Sequence, residues 1–392
     1  MKFFLFFLLC FTLNAKTISL DDAINLALKN NPSLESINKK IEINRQNIKL
    51  STKFSNPQLQ LTKNTLDSSQ AMSQTTLTLS QKLPLTSKRH LRERVSMAEQ
   101  ELIYEEMRDA KVALVKEVKL EAYTLWELQE LKQIIKEYIN LTEQNIELYE
   151  SYTSISDNQH MGIMKAKLSL SDLKIGINII NTKIKSSYAR LSYLCSSDIS
   201  DLEVKLLMGD KPEFPRLQDS LKNNTKIAIK AKERLKQNAK IEVASIENYP
   251  DINLMAGYSH RENFDDFLNI GIGLSLPIYS REDLKEEKER QESLRISSLS
   301  EDVTNTINTE LNIYYLQMLS SYDIYHIIQD DSLPQVEHMF ELTHTSISTG
   351  SDLFKYVDIL FSKLKLEQKS INAISNYNRA KAEISALGGA LQ

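Results

Sequence analysis

Glycine and proline are scarce in this sequence: its 392 residues include nine of the first and eight of the second. Since both residues interrupt helices, their scarcity beside much Lys, Glu, Leu, Ile, Gln and Asn predicts a mostly helical protein. An excess of charge of one sign is also missing, since the sequence has 48 basic and 52 acidic residues. The lack of a positive excess argues against nucleic acid as a partner. After residues 1–15 no apolar run is long enough for a transmembrane helix, so any membrane contact must use strands or a surface helix.

Cysteine is nearly absent, and the two cysteines that occur cannot form a disulfide within the mature chain. Residues 1–15 are predicted to be a cleaved secretory signal, with the charge of Lys2 followed by an apolar stretch, and this segment contains Cys10. Leu9 precedes Cys10 where a lipoprotein signal needs a small residue, which disfavours lipidation there. Cys195 then remains alone, so no disulfide forms within the chain, and it is predicted to be a small buried apolar residue.

Motifs for catalysis and for cofactor binding are missing too. The sequence has no phosphate-binding loop, no nucleophile elbow, no paired-cysteine metal motif and no His-Glu-x-x-His helix. His160, Met161 and Met164 lie together, and sulfur ligands suit Cu(I), but ordinary packing beside an exposed histidine is the favoured interpretation. We therefore predict no catalytic residue, no cofactor and no metal site, and a protein that is not an enzyme.

An internal duplication is the strongest positive signal. Pro84 and Pro277 are 193 residues apart, and so are Pro57 and Pro250. The tetrapeptide Leu-Lys-Asn-Asn that begins at Leu28 recurs at the same spacing. The predicted division is a signal at 1–15, a first repeat at 16–196 with a β-hairpin at 57–83, a linker at 197–215, and a second repeat at 216–389 with a β-hairpin at 250–277.

Each repeat is predicted to place a long helix after its hairpin. The first runs from about Ser87 to Tyr152 without glycine or proline, which gives a length on the order of 100 Å. Its apolar residues recur every three or four positions, the spacing of a coiled-coil seam. Asp157-Asn158 should turn the chain into a return helix at 161–194. The second copy is predicted as a helix at 282–343 with a kink at Pro334, a turn at Thr349-Gly350 and a return helix at 352–387.

The predicted strands alternate large apolar residues with small or polar ones, the period of a sheet with two different faces. In the last strand, which Pro277 should end, the small positions include Gly271 and Gly273, and Gly257 takes the same face one strand earlier. The predicted lipid-facing residues are Leu77, Leu79, Ile252, Leu254, Ile270, Ile272, Leu274 and Leu276.

Four strands per chain do not make a closed barrel. A hairpin alone is marginal in water, and in lipid its open edges would leave backbone groups unpaired. Since closed barrels need about eight strands or more, the pattern predicts a barrel that several chains share. The alternative is that these are half-buried strands of a soluble α+β protein, which would leave the long paired helices without a purpose.

The whole mature sequence resembles the outer-membrane efflux protein family, the TolC-like export ducts. The residues that carry the likeness are Leu20-Asp21-Asp22-Ala23, Ala27 to Pro32, Tyr249-Pro250, Leu274 to Tyr279 with its weaker copy Leu79 to Leu85, Gly350 with Leu353 and Asp358, and Tyr377 to Gly389.

The resemblance implies a mainly α protein with membrane β structure. Three identical chains would form a twelve-stranded outer-membrane β-barrel and a periplasmic α-barrel of long helical hairpins, in a Gram-negative bacterium. Its partners would be outer-membrane lipid, a periplasmic adaptor (membrane fusion) protein and an inner-membrane pump. The strand–helix junctions would lie at Pro84 and Pro277. Candidates for the periplasmic tip and aperture are Asp157, Asn158, Gly350, Asp352 and Asp358.

The leading functional hypothesis is a passive channel of a tripartite efflux or secretion system. The alternative is a soluble periplasmic coiled-coil adaptor or scaffold. The compact length and short loops favour the ducts of heavy-metal pumps over those for drugs or secreted proteins. The cargo and the pump nevertheless stay open, because a tunnel lined by polar residues does not encode what passes through it.

Overall fold

A computed structural model describes residues 18–65, 70, 72–84, 86–151, 157–347 and 353–391 of this chain. The predicted signal and Cys10 lie outside these residues, as do Gly350 and Asp352. The chain divides into two compact units. Unit 1 comprises Met1–Leu34, Ala110–Asn224 and Ile307–Gln392, and unit 2 comprises Glu35–Asp109 and Thr225–Thr306. Each unit draws on both predicted repeats, whose boundaries stay a prediction.

Long helices and two hairpins dominate the described residues, as predicted. The elements of the first half are β1 (Ile18–Ser19), α1 (Leu20–Asn30), α2 (Pro32–Ser51), β2 (Gln58–Lys63), β3 (Gln74–Leu83), α3 (Thr86–Glu150) and α4 (Asp157–Cys195). Those of the second are β4 (Leu202–Glu203), α5 (Phe214–Ser220), a 3-10 turn (Leu221–Asn223), α6 (Thr225–Ile246), β5 (Ile252–Arg261), β6 (Phe267–Leu274), α7 (Arg281–His326), a π-helical segment (Ile327–Ser332), α8 (Leu333–Ile347) and α9 (Leu353–Leu387).

The start of α1 is fixed by a reciprocal cap. The Ser19 hydroxyl accepts a hydrogen bond from the backbone N–H of Asp22 at 3.1 Å, and the Asp22 carboxylate accepts one from the backbone N–H of Ser19. These two reciprocal bonds form a capping box, with Asp22 in the place of the more usual Glu. The same segment also forms β1, which pairs in parallel with β4 inside the predicted linker. Two-residue strands carry too weak a pattern for sequence analysis to find.

The core of unit 1 is a ladder of buried residues on α3, α4 and α9. It confirms the predicted seam along α3, where Val118, Ala122 and Leu125 are fully buried. The part of the ladder that joins all three helices contains Leu128, Ile135, Tyr138, Ile146, Tyr149, Ile163, Ala166, Leu173, Ile180, Tyr356, Val357, Leu360 and Leu364.

Two predicted boundaries are wrong, and a predicted kink takes a specific form. Asp157 and Asn158 begin α4 instead of forming a turn. The kink expected at Pro334 takes the form of the π-helical segment just before it, because proline lacks an N–H and its ring crowds the carbonyl four residues back. Strand β6 ends at Leu274, not at Pro277, because its partner β5 begins at Ile252, which lies opposite Leu274.

Cys195 is buried in unit 1, as predicted. Its Sγ lies 3.3 Å from the carbonyl oxygen of Ala23, and burial raises the pKa of the thiol to about 11. The thiolate is the nucleophilic form, so this cysteine is unreactive at neutral pH.

The duplication reappears as two equivalent hydrogen bonds in unit 1. The Asn31 side-chain amide donates to the carbonyl oxygen of Leu194 at 3.0 Å, and the Asn224 amide donates to that of Leu387 at 2.8 Å. Each asparagine thus satisfies a carbonyl group in the last turn of a return helix, a group with no partner inside the helix. Both residues lie in the repeated Leu-Lys-Asn-Asn motif, so the motif has a structural reason.

We predict that Asn224→Ala destabilises unit 1 more than Asn31→Ala does. Asn224 is 3% exposed, so its loss leaves the Leu387 carbonyl buried and unpaired, at a cost of about 1–3 kcal/mol. Asn31 is only half-buried, and water replaces its bond at about 0.5–1.5 kcal/mol. Denaturant unfolding followed by the fluorescence of Trp126, which lies in unit 1, measures both. Equal losses, or a larger loss for Asn31→Ala, would contradict this account.

Candidate functional site

The candidate site lies in unit 2, where the two hairpins join into one antiparallel sheet of order β2-β3-β5-β6. The register places equivalent residues side by side across all four strands. Leu61, Leu77, Tyr258 and Leu268 form one row, and Leu59, Leu79, Ala256 and Ile270 form the next. Since side chains opposite each other in a ladder share a face, the apolar residues of four strands lie on one surface.

That apolar face is exposed. Ile270 is 89% exposed and Ile272 is 71% exposed, and most of the other large side chains of the face are at least two-fifths exposed. Of the eight residues predicted to face lipid, seven lie in the strands on this face, with Ile252 half-buried, and Leu276 lies beyond the end of β6. A contiguous exposed apolar surface of this kind marks contact with another molecule or with a membrane.

The opposite face is lined by small and polar side chains. Thr78, Gly257 and Asn269 lie in one row, and Ser80, Met255 and Gly271 in the next. Thr76 and Asn269 both hydrogen-bond the Ser259 hydroxyl at 2.9 Å. The predicted glycine positions share this face, but it is not empty, because the Met255 side chain lies over Gly271.

Aromatic side chains mark both ends of the sheet. At the end that carries the helices, Phe54, Tyr249 and Tyr279 are exposed. At the loop end the exposed aromatic residues are Tyr258, Phe264 and Phe267. Girdles of aromatic residues flank the apolar band of a membrane barrel, and Tyr in particular favours the bilayer boundary, so the two sets lie where such girdles would lie.

The loop end is organised by Asp266. Its carboxylate accepts hydrogen bonds from the Tyr258 hydroxyl and, at 3.1 Å, from the backbone N–H of Arg261, and it contacts the His260 ring at 2.9 Å. These bonds lower the pKa of Asp266 to about 2, with that from Tyr258 having the largest effect. The Arg261 side chain donates to the carbonyl oxygen of Asp265 at 2.8 Å, and β5 extends to Arg261, which pairs with Gln74 of β3.

The helix end is held by a buried ion pair. The Lys88 ammonium, whose side chain is 4% exposed, lies 2.7 Å from the Asp251 carboxylate and donates to the Tyr249 carbonyl oxygen at 2.6 Å. Lys82 contacts the other carboxylate oxygen at 3.0 Å. Burial alone would raise the pKa of Asp251, but the hydrogen bonds from Lys88 and Lys82 outweigh it and lower the pKa. This cluster ties the end of β3 and the start of α3 to the start of β5.

Sequence analysis missed this cluster, because Lys88 and Asp251 are 163 residues apart and no local pattern joins them. The predicted junction residues lie around it. Pro84 directly follows β3, and Pro277 lies three residues beyond β6 and lines the same cleft as Lys88 and Asp251.

The predicted tip residues fall in unit 1. Asp358 of α9 forms an ion pair with Lys165 of α4, which sequence analysis did not foresee. Asp157 and Asn158 begin α4, and Gly350 and Asp352 lie outside the described residues. Their role at an aperture stays a prediction.

Unit 1 also contains a cleft of about 790 Å³ that sequence analysis missed. Both of its arginine side chains are paired with residues of another helix. Arg190 lies 3.3 Å from Glu121, and Arg379 donates to Thr124 at 3.1 Å and to Glu127. These contacts are between distant segments, and the cleft holds no charge pattern that singles out a ligand.

Two comparisons identify what this chain is similar to. A family model described as outer membrane efflux protein matches residues 23–153. None of the curated protein sequences matches the chain. Within the described residues no helix is both long and apolar enough to cross a membrane.

Solved structures share the fold over nearly the whole chain. CusC is 16% identical with a TM-score of 0.79, and the match covers 95% of this chain and 92% of CusC. The MtrE outer membrane channel of Neisseria gonorrhoeae, in its open state, is 14% identical with a TM-score of 0.80, over 95% of this chain and 89% of MtrE. The CmeC outer membrane channel of Campylobacter jejuni is 15% identical with a TM-score of 0.77, over 94% and 85%. The resemblance to the outer-membrane efflux protein family and the predicted fold class of helical hairpins with β-hairpins are thereby confirmed.

We predict that Asp251→Asn loosens the sheet of unit 2. Removing the carboxylate leaves the Lys88 ammonium buried without a counter-charge, which costs about 3 kcal/mol or more. Amide hydrogen exchange in β3 and β5 should then accelerate on the order of 100-fold. The control is Lys82→Met, whose side chain is 60% exposed and whose loss should cost at most about 1 kcal/mol.

Acid should mimic this substitution. Because the folded pKa of Asp251 is lowered, its contribution is present above the unfolded pKa of about 3.9 and is lost as the pH falls through the folded value. Unchanged exchange in Asp251→Asn would show that the ion pair does not hold the junction.

Proposed function

We propose, from the family match over residues 23–153 and the fold shared with outer membrane channels, that this chain is one subunit of an outer-membrane efflux duct. The duct is a passive route from the periplasm to the exterior and catalyses no reaction of its own. The observation that carries the proposal is the exposed apolar face that runs across all four strands of one sheet.

The dimensions of the sheet support a membrane-spanning role. Strands β3 and β5 each have ten residues, and about 9–11 residues cross a bilayer in a tilted strand. One face is apolar and the other is small and polar, as for the lipid and lumen faces of a membrane barrel. The exposed aromatic residues at both ends match the two bilayer boundaries.

The edges of the sheet require further chains. Strands β2 and β6 are its outer strands, and in hydrocarbon their unpaired backbone groups would each cost several kcal/mol. Three copies would supply twelve strands, and β6 of each chain would pair with β2 of the next. We propose this homotrimer in the outer membrane of a Gram-negative bacterium, with the helices in the periplasm and an adaptor protein and an inner-membrane pump as partners.

None of these contacts identifies the transported substrate. Compact length and short loops favour a heavy-metal pump as partner over a drug pump. The second candidate function is a soluble periplasmic coiled-coil adaptor or scaffold, and the long helical hairpins alone would suit it. The exposed row of Ile270, Ile272 and Leu274 favours the duct.

We predict that Ile272→Asp blocks membrane insertion while Asn269→Asp does not. Both substitutions add a carboxylate to β6, but Ile272 lies on the apolar face and Asn269 on the polar face. On the lipid face of a barrel, near the bilayer midplane, Lys or Arg costs about 2–4 kcal/mol and a carboxylate costs less but still destabilises the inserted state. The readout is the fraction of chain in purified outer membranes after alkaline extraction. Equal, mild effects of both substitutions would favour the soluble adaptor.

The internal duplication predicts the register in which β6 of one chain pairs with β2 of the next, because the β3–β5 ladder is the equivalent pairing within one chain. Gln81 lies opposite Leu254 in the β3–β5 ladder, and the positions 193 residues away from these are Leu274 and Leu61. Within one chain Leu61 and Leu274 lie on the two outer strands, three strand spacings of ~4.8 Å apart and offset by six residues along the strands, so a disulfide between cysteines there must join two chains.

We predict that Leu61→Cys with Leu274→Cys gives covalent dimers and trimers on mild oxidation. The native Cys195 is fully buried and should not react. In the control, Gln60→Cys with Leu274→Cys, residue 60 points to the other face and cross-linking should fall sharply. Monomers alone from the first pair, read on a non-reducing denaturing gel, would contradict the shared barrel.

A further inference from the structure

Positive charge surrounds the end of the sheet that carries the helices. A cleft of about 450 Å³ lies there, lined by five basic side chains and three acidic ones. The basic side chains are Lys82, Lys88, Arg92, Arg281 and Lys285. The cleft therefore has a surplus of two positive charges, although the whole chain has a net charge of −4.

The acidic side chains of the cleft are already engaged. Asp251 holds Lys82 and Lys88, as described above. Glu247 lies 3.0 Å from Lys285 and 3.9 Å from Arg92, and Glu282 lies 3.9 Å from Lys285. Arg281, by contrast, is exposed and has no ion-pair partner in the part of the chain that the structure describes.

The internal duplication explains why Arg281 lacks an ion-pair partner. Arg281 is the copy of Lys88, 193 residues later, and the residue that corresponds to Asp251 in the first repeat is Gln58. The carboxylate that neutralises Lys88 is thus replaced by a neutral amide. A neighbouring chain that paired its β2 with β6 would bring Gln58, and no counter-charge, to Arg281.

Exposed apolar side chains line the same cleft. Leu276, Ile278 and Tyr279 are 67%, 68% and 86% exposed, and they continue the apolar face of β6 toward Arg281. A ligand that fits this arrangement has an anionic group next to long hydrocarbon chains. A soluble phosphate would satisfy the cations but would leave the apolar side chains in water.

We propose that this cleft binds the headgroup of an anionic phospholipid of the leaflet nearest the helices. Arg281 and Lys285 contact the phosphodiester, the Tyr279 ring lies at the level of the headgroup, and the acyl chains cover Leu274 and Leu276. Cationic side chains at a membrane surface attract anionic lipid by about 1 kcal/mol each, which is about fivefold in affinity. The site rests on the proposed function, because it requires the sheet to lie in a bilayer.

The test compares spin-labelled phosphatidylglycerol with spin-labelled phosphatidylcholine on the full chain reconstituted in phosphatidylcholine bilayers. Electron paramagnetic resonance gives the motionally restricted fraction of each label, and hence a relative association constant. We expect a preference for phosphatidylglycerol of several-fold that weakens as salt is raised. Arg281→Gln should lower this preference about fivefold, and Arg281→Lys, which retains the charge, should preserve it.

Arg295→Gln is the matched control. It removes an exposed charge from the same helix, ~21 Å further along its axis, and should leave the preference unchanged. Excess soluble glycerol phosphate should not displace the labelled lipid, and displacement would show a phosphate site without lipid character. Equal association of both lipids, or an equal effect of Arg281→Gln and Arg295→Gln, would overturn the proposal.

Failure of the proposed function and failure of this inference give different results. Flotation of the same vesicles shows whether the chain has inserted. A chain that floats with the vesicles but shows no lipid preference overturns this inference alone, whereas a chain that stays in the soluble fraction overturns the duct itself.

Discussion

Backbone hydrogen bonding at the two edges of the sheet is the constraint on which the account depends. β2 and β6 each have one ladder partner among the described strands, so each presents a row of unpaired N–H and C=O groups. Water can satisfy such a row, but hydrocarbon cannot. The apolar face beside these edges is largely exposed and includes most of the largest side chains of the sheet. A bilayer would accept that face only if the edges were closed, and a single chain has too few strands to close them. The proposed oligomerisation, membrane insertion and strand register therefore depend on one another.

The internal duplication predicts how β6 of one chain pairs with β2 of the next, and it also shows where the two copies differ. The bonds from Asn31 to Leu194 and from Asn224 to Leu387 repeat at equivalent positions, so the ends of both return helices are held in the same way. The ion pair between Lys88 and Asp251 has no such copy, because Arg281 and Gln58 occupy the equivalent positions. Features that repeat thus serve the common helical framework. A feature that occurs once, at the helix end of the sheet, indicates a task that one copy performs and the other does not.

Much of this fold could be predicted from the sequence because its signals are local. The period of two in β3 and β6, the apolar seam of α3 and the spacing of Ser19 and Asp22 each depend on residues within a few positions of one another. What could not be predicted depends on contacts across the chain. The β3–β5 ladder joins the hairpins, Lys88 meets Asp251, and Asp358 meets Lys165, over separations of 150 residues or more. The end of β6 was misplaced for the same reason, since the start of β5 decides it and Pro277 does not.

The number of chains in the membrane-extracted particle tests the central claim most directly. Light scattering combined with refractive index and absorbance gives the mass of protein in a detergent complex separately from the detergent. The account predicts three chains of at most 45.0 kDa each, extracted only with detergent. A monomeric protein, or one that leaves the cell envelope without detergent, would contradict it, because the edges of the sheet would then remain open or would face water.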